Sequence, residues 1–311
     1  MGGWLASEAF EYLLGCPEID ESLRNLLWRH KLRGGFEDAL AELQVEVSQR
    51  REVTSEVRLR RMQDAVLRMF SDMDKAFAMI TNFEFQNDRR YLVRNLLVQF
   101  DALFTLNQDL LLERHYLNGN VALSSSDRWT GWEIPGMRAS SGGSRGAAET
   151  KWSPLDPSKF VVNKRLQPCF KLHGSSNWIA SDQETDLIVI GGNKPSTIDR
   201  HPILKWNYQQ FREHLFQPNT HLMIIGYGFR DEHINRVIGQ AAEAGHLEIF
   251  IIDPLGLDVA DENRTHPVYS PGRLFSQLQP HLIGASRRSL RETFGADRVE
   301  HAKVMRFLLP A

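Results

Sequence analysis

His221-Leu222-Met223-Ile224-Ile225-Gly226-Tyr227-Gly228-Phe229-Arg230-Asp231-Glu232-His233-Ile234-Asn235 decides the fold. It opens with an apolar run of the kind expected for a buried parallel strand. Two glycines follow and let backbone come close to a ligand, before a helix-like stretch from Glu232 to Ala244. A second apolar run, Leu247 to Ile252, comes next. Working upstream, Trp206 to Phe216 has helical texture. The short runs Ala102 to Leu106, Cys169 to Leu172 and Asp186 to Ile190 read as further strands. Strands alternating with helices predict an α/β protein, a Rossmann-like doubly wound parallel sheet with helices on both faces.

Before Val98 the texture differs. Trp4 to Leu14 has helical spacing, and Gly15 with Pro17 stops it. From Leu23 to Phe100 apolar residues recur three or four apart, as in Leu26, Leu27, Leu40 and Leu43 and again in Val66, Leu67, Met69 and Phe70. Gly34-Gly35 breaks one helix from the next, and Asn82 to Asp88 reads as a polar connection. A segment rich in Ser, Gly, Arg and Pro, Leu123 to Pro157, predicts a long flexible loop over 118–165. Residues 263–311 read as a loop followed by one or two helices, with Leu290, Phe294 and Phe307 as docking residues.

Composition removes several function classes. The chain has 311 residues and a formal charge of −2, so no global basic field draws it onto nucleic acid. Arg50, Arg51, Arg58, Arg60 and Arg61 cluster, which reads first as a solvated helix face. Two cysteines, Cys16 and Cys169, fall short of a four-thiolate zinc site and of a disulfide scaffold. No apolar stretch approaches the roughly 20 residues that cross a bilayer. With no recognisable signal peptide, a cytoplasmic protein with reduced thiols is expected.

Open parallel sheets bind ligands at the carboxyl ends of their strands, so polar residues directly after apolar runs carry the information. Thr105-Leu106-Asn107-Gln108-Asp109 is one such place, where a carboxamide can hold a ribose hydroxyl or a water, or Asn107 and Asp109 can cap the next helix. A second is Lys171-Leu172-His173-Gly174-Ser175-Ser176-Asn177-Trp178. Its histidine suits a general base, or a structural role. The third is the Gly226-Tyr227-Gly228 turn, suited to phosphate or ribose oxygens, with Asp231 also placed to cap the helix that follows. Asp231-Glu232-His233 lacks metal-ligand spacing, and no metal is expected.

Taken in order, and with Phe250-Ile251-Ile252-Asp253-Pro254, these motifs resemble the sirtuin-like family. That family shows a T-x-N-x-D strand end, then an H-G, then a glycine-bearing strand end beside the NAD ribose, then a strand with a terminal Asn or Asp. The forms K-L-H-G-S and I-G-Y-G-F-R-D look closest to the bacterial sirtuin-like antiphage NADases. The resemblance implies NAD as substrate, with Asn107 on the ribose hydroxyls or the attacking water, His173 as general base, and Asp109 orienting Asn107. Thr105, Gly174, Ser175, Gly226, Tyr227, Gly228 and Asp253 would line the nucleotide. It implies one sirtuin-like domain over 1–311, a helical insertion at 36–100 and a core at 97–254.

Two departures shape the expectation. The four-cysteine zinc module of deacetylating sirtuins is missing, which favours simple hydrolysis of the nicotinamide–ribose bond. The G-A-G-type phosphate loop has no match in Met1-Gly2-Gly3-Trp4, which predicts weakened NAD affinity and an open sheet edge inviting a partner. The expectation is an NAD glycohydrolase of antiphage defence, activated by homo-oligomerisation or by an ATPase or Argonaute-like partner, with no direct nucleic-acid or membrane binding. The alternatives are a non-catalytic sirtuin-like scaffold or nucleotide sensor, and an unrelated nucleotide-binding α/β enzyme.

Overall fold

The computed structural model describes residues 6–32, 34–50, 52–80, 84–117, 128–140, 146–180, 186–245, 247–263 and 272–308. Trp4 and Leu5 of the expected first helix, Asn82 of the polar connection, and 118–127 and 141–145 of the expected loop lie outside these residues. In chain order the helices are α1 (Ala6–Leu14), α2 (Glu21–His30), α3 (Phe36–Arg50), α4 (Val53–Ala78), α5 (Val93–Leu97), α6 (Leu111–His115), α7 (Lys194–Arg200), α8 (Pro202–Leu215), α9 (Glu232–Glu243), α10 (Arg273–Leu278), α11 (Leu290–Gly295) and α12 (Arg298–Arg306). The strands are β1 (Leu103–Thr105), β2 (Gly131–Glu133), β3 (Met137–Ala139), β4 (Trp152–Pro154), β5 (Leu166–Lys171), β6 (Gly174–Ile179), β7 (Asp186–Ile188), β8 (Thr220–Ile225), β9 (Leu247–Ile252) and β10 (Leu282–Ser286). This is a Rossmann-like α/β architecture. The chain divides into two compact units, Met1–Phe83 with Ala102–Trp206, and Glu84–Asp101 with Asn207–Ala311.

In the first unit, α1 to α4 share one apolar core. Met62, Ala65, Val66, Met69, Phe70, Met73 and Phe77 form the buried stripe of α4, three and four residues apart as a helix face requires. Leu23, Leu26 and Leu27 of α2 and Phe36, Ala39, Leu40 and Leu43 of α3 complete it. The Asp20 carboxylate starts α2 by accepting the Leu23 N–H at 2.9 Å. Of the clustered arginines, Arg58 is paired with Glu46 and Arg61 with Asp20, so neither stands as an open phosphate contact.

The strands of this unit form two groups. β1, β5 and β2 are parallel, with Thr105 opposite Lys171 and Gly131 opposite Leu166. Phe104 stacks on Phe170 at 4.9 Å, and Trp206 meets Phe170 edge-on. The second group is ordered β3-β4-β6-β7, with β4 parallel to β6 and the outer pairs antiparallel. Three sequence expectations change here. Described residues within 118–165 form β2, β3 and β4 and bury Trp129, Ile134, Met137, Ala147 and Ala148. Apolar anchors spaced among the small and polar residues suffice to pack it. Gly174–Ile179 is a strand, and Asp186–Ile188 runs antiparallel to it instead of joining a parallel sheet.

The second unit carries a three-stranded parallel sheet in the order β10-β9-β8. β8 and β9 are in register from Thr220 opposite Leu247 to Ile225 opposite Ile252. Ile234, Val237, Ile238, Ala241 and Ala242, with His233 and Gly239, are the buried residues of amphipathic α9. β10 departs from the expected loop-and-helix tail. Its Gly284 lets the strand lie beside β9, since a Cβ there would sit 2.6 Å from the Phe250 ring. The expected docking residues Phe294 and Phe307 are buried, and the Phe307 ring contacts Phe250 at 5.3 Å. Among the described residues no helix is long and apolar enough to cross a membrane.

Candidate functional site

The candidate residues fall in two sets, one in each unit. In the first unit the ends of parallel neighbours β1 and β5 bring together Thr105, Asn107, Asp109, His173, Gly174 and Ser175. Backbone bonds fix the two ends to each other. The Leu172 N–H donates to the Thr105 carbonyl at 2.9 Å, and the Ser176 N–H to the Gln108 carbonyl at 2.9 Å. The Gln108 amide donates to the Val189 carbonyl at 2.8 Å, and the Val189 N–H to the His173 carbonyl at 2.9 Å.

Within the Thr105–Asp109 turn the two polar side chains behave differently. Asp109 Oδ1 accepts the Leu111 N–H at 3.0 Å, closing an Asx turn that leads into α6. The Asn107 N–H donates to Thr105 Oγ1 at 3.0 Å, while its side chain is exposed and does no capping. Neither residue is the N-cap of α6, which is Leu110, so the capping alternative does not describe them, and the exposed Asn107 carboxamide is open to a ligand.

His173 sits at the corner between β5 and β6 and is buried, 2 % exposed. Gly174 follows at φ +75°, and a Cβ there would lie 1.9 Å from the Leu187 carbonyl oxygen. Only glycine allows this approach of β6 to β7 and so the placement of His173. The Ser175 hydroxyl is fully buried with no hydrogen-bond partner among the described residues.

Beneath the turn lies a buried ion pair that the sequence motifs do not single out. Lys171 Nζ is 2.6 Å from Glu113 Oε1 and donates to the Asp109 carbonyl at 2.6 Å. The side chains are 2 % and 1 % exposed. The available signal was a lysine inside the apolar run Cys169 to Leu172, because a buried ammonium needs a partner. Nearby Cys169 is also buried, which pushes its thiol up to about 12, so it offers no thiolate nucleophile.

In the second unit, Gly226, Tyr227, Gly228 and Asp253 lie at the ends of β8 and β9. The Gly226 N–H donates to the Ile252 carbonyl at 2.9 Å, which sets the glycine turn beside Asp253. Gly226 adopts φ +62° with nothing within 4 Å of its missing Cβ, and both glycines are exposed. Asp253 closes its own turn, with Oδ1 accepting the Leu255 N–H at 2.8 Å.

The glycine turn is held from α9. Tyr227 donates its hydroxyl to Asn235 Oδ1 at 2.8 Å, and the Asn235 amide donates to the Phe229 carbonyl at 2.8 Å. This pins Phe229 in a left-handed conformation, φ 51°, which costs a side-chain-bearing residue about 1 kcal/mol or more. Burial and the nearby Asp231 charge raise the Tyr227 ionisation well above its ordinary range, keeping it a neutral donor. Asp231 stands at the N-cap position of α9 without a side-chain cap bond, its carbonyl accepting the Ile234 and Asn235 N–H groups. Asn235 is a positioning residue the motif contained but the sequence reading did not assign.

A search of curated proteins finds no matching relative. The family model of the SIR2-like domain matches residues 101–266, more than half of the chain, and spans both strand-end sets. The matched range includes the T-x-N-x-D strand end, the H-G corner and the glycine turn, and the chain belongs to the SIR2-like domain family.

Proposed function

We propose that this protein is an NAD glycohydrolase that cleaves the nicotinamide–ribose bond. One observation carries the reading: an exposed Asn107 and a histidine corner stand on adjacent parallel strand ends, joined by the Leu172–Thr105 and Ser176–Gln108 backbone bonds. The reaction needs a ribose held in place, a poised water and a group to take the proton. Asn107 holds the ribose hydroxyls or the water, His173 takes the proton, and Asp109 keeps the turn in shape. Water adds at the anomeric carbon as the bond to nicotinamide breaks, giving ADP-ribose, nicotinamide and a proton. Gly226, Tyr227, Gly228 and Asp253 serve the nucleotide side. Gly174 and Ser175 shape the H-G corner, and Thr105 shapes the Asn107 turn through its hydroxyl.

Hydrolysis is favoured over deacylation because two cysteines leave no four-thiolate zinc module. The chemistry proposed uses no metal. The resemblance of K-L-H-G-S and I-G-Y-G-F-R-D to the antiphage NADases supports a defence role, a homo-oligomer or ATPase- or Argonaute-like partner as trigger, and a cytoplasmic location. The burial of His173 supports a resting state that a trigger must open. The same burial favours one second reading, a non-catalytic scaffold or nucleotide sensor.

Incubation of the full chain with NAD, alone and with the protein encoded beside it, separates the two. ADP-ribose and nicotinamide in equal amounts, detected by mass spectrometry, support cleavage. Retained ADP-ribose with no product in either condition supports the sensor.

A further inference from the structure

We infer that the buried Lys171–Glu113 pair is a positioning device that sets the Asn107 turn against the His173 corner, an inference that rests on the NAD-cleaving reading for its catalytic consequence. Lys171 lies on β5 opposite Thr105 and two residues before His173. Its ammonium reaches across to the turn that carries Asn107, bonding the Asp109 carbonyl at 2.6 Å and Glu113 of α6 at 2.6 Å. One side chain therefore ties together the H-G strand, the T-x-N-x-D turn and the helix behind it.

Stability alone does not account for this pair. Two buried charges lose their hydration, and apolar residues of similar volume in their place are often neutral or stabilising. The contact to the Asp109 carbonyl is the part that apolar residues cannot reproduce. Asp109 in turn closes the Asx turn into α6, and Asn107, whose side chain is exposed, depends on its backbone for direction. Loss of Lys171 therefore frees the turn without unpacking the sheet, and a displacement of about 1 Å at a reacting group costs roughly a hundredfold in rate.

The test compares the full chain with Lys171→Met, with Lys171→Met/Glu113→Leu and with Glu113→Gln. Hydrogen exchange over 105–110 and nicotinamide release are followed for each. Lys171→Met alone strands a buried carboxylate and lowers the melting temperature by roughly 10 °C. The apolar pair restores the melting temperature, yet residues 105–110 exchange faster and kcat falls about a hundredfold. Glu113→Gln keeps the Lys171–Asp109 contact and retains the slow exchange. Should the apolar pair not fold, Lys171→Met/Glu113→Gln removes the same contacts without a buried carboxylate and carries the same prediction.

Unchanged exchange over 105–110 in the apolar pair overturns the inference, whatever happens to activity. Faster exchange there, with a wild type that releases no nicotinamide under any condition, upholds the positioning role and rejects the cleavage reading.

Discussion

The N–H of Leu172 donates to the carbonyl of Thr105 at 2.9 Å, so the residue preceding His173 is bonded directly to the strand end that leads into Asn107. Parallel pairing of β1 and β5 makes this bond the last rung before both chains turn away. A placement of this kind is reproducible because it rests on sheet register and not on the rotamer of a loop residue.

Asn107 and Asp109 are expected to separate function from stability. Asn107 is exposed and its side chain caps nothing, so Asn107→Ala should shift stability by about 0.5 kcal/mol or less. It should nevertheless lower NAD turnover at least tenfold. Asp109→Ala removes the bond to Leu111 and should cost about 1 kcal/mol as well as activity. Denaturant melts and turnover of both variants check this, and a stability loss in Asn107→Ala equal to that in Asp109→Ala would contradict it.

The two left-handed glycines beside the motifs should respond unequally to a methyl group. Gly226→Ala meets no neighbour and pays only the conformational cost, about 1 kcal/mol. Gly174→Ala drives a carbon to 1.9 Å from the Leu187 carbonyl oxygen, so β6 and β7 must separate. Circular dichroism melts should find Gly226→Ala folded and Gly174→Ala severely destabilised. Equal melting temperatures would show that the β6–β7 approach does not depend on glycine.

These contrasts mark what the sequence could reveal. β8, α9 and β9 were legible because Leu222–Ile225 and Ile249–Ile252 are unbroken apolar runs flanking an amphipathic helix. Strands β2, β3 and β4 have three residues each and draw their stability from buried aromatics and pairing partners distant in sequence, which periodicity does not register. The order of Asn107, His173 and Gly226 was visible as a motif series. The Lys171–Glu113 pair spans 58 positions, a separation at which only the fold reveals a partner.

The cysteines give a chemical check on the core around β5. Burial raises the Cys169 thiol to about 12 and also raises Cys16 above its usual value. Neither should react with a thiol-modifying disulfide reagent at pH 8 in the native protein, and both should react after denaturation. Rapid native labelling of Cys169 would mean that β5 is not buried as described.

Acid should destabilise the protein through histidines as well as carboxylates. Burial lowers the pKa of His115 and of His301 below that of an unfolded histidine. The unfolded chain then binds protons first as pH falls through about 6.5, and stability drops. Glu18, lowered by its bond to Arg68, loses its contribution as pH falls further, through its folded pKa. The melting temperature should therefore fall between pH 7 and pH 5, and less steeply in His115→Gln, which can keep a donor for the Phe77 carbonyl. Identical slopes in the two proteins would remove His115 from the explanation.

The most direct test of the account is nicotinamide release from NAD by the full chain and by His173→Ala, each with and without the protein encoded beside it. Cleavage by the wild type that falls at least a hundredfold in His173→Ala, with the variant still folded, is the predicted result. Undiminished release by folded His173→Ala would contradict the assignment of the histidine corner as the catalytic centre.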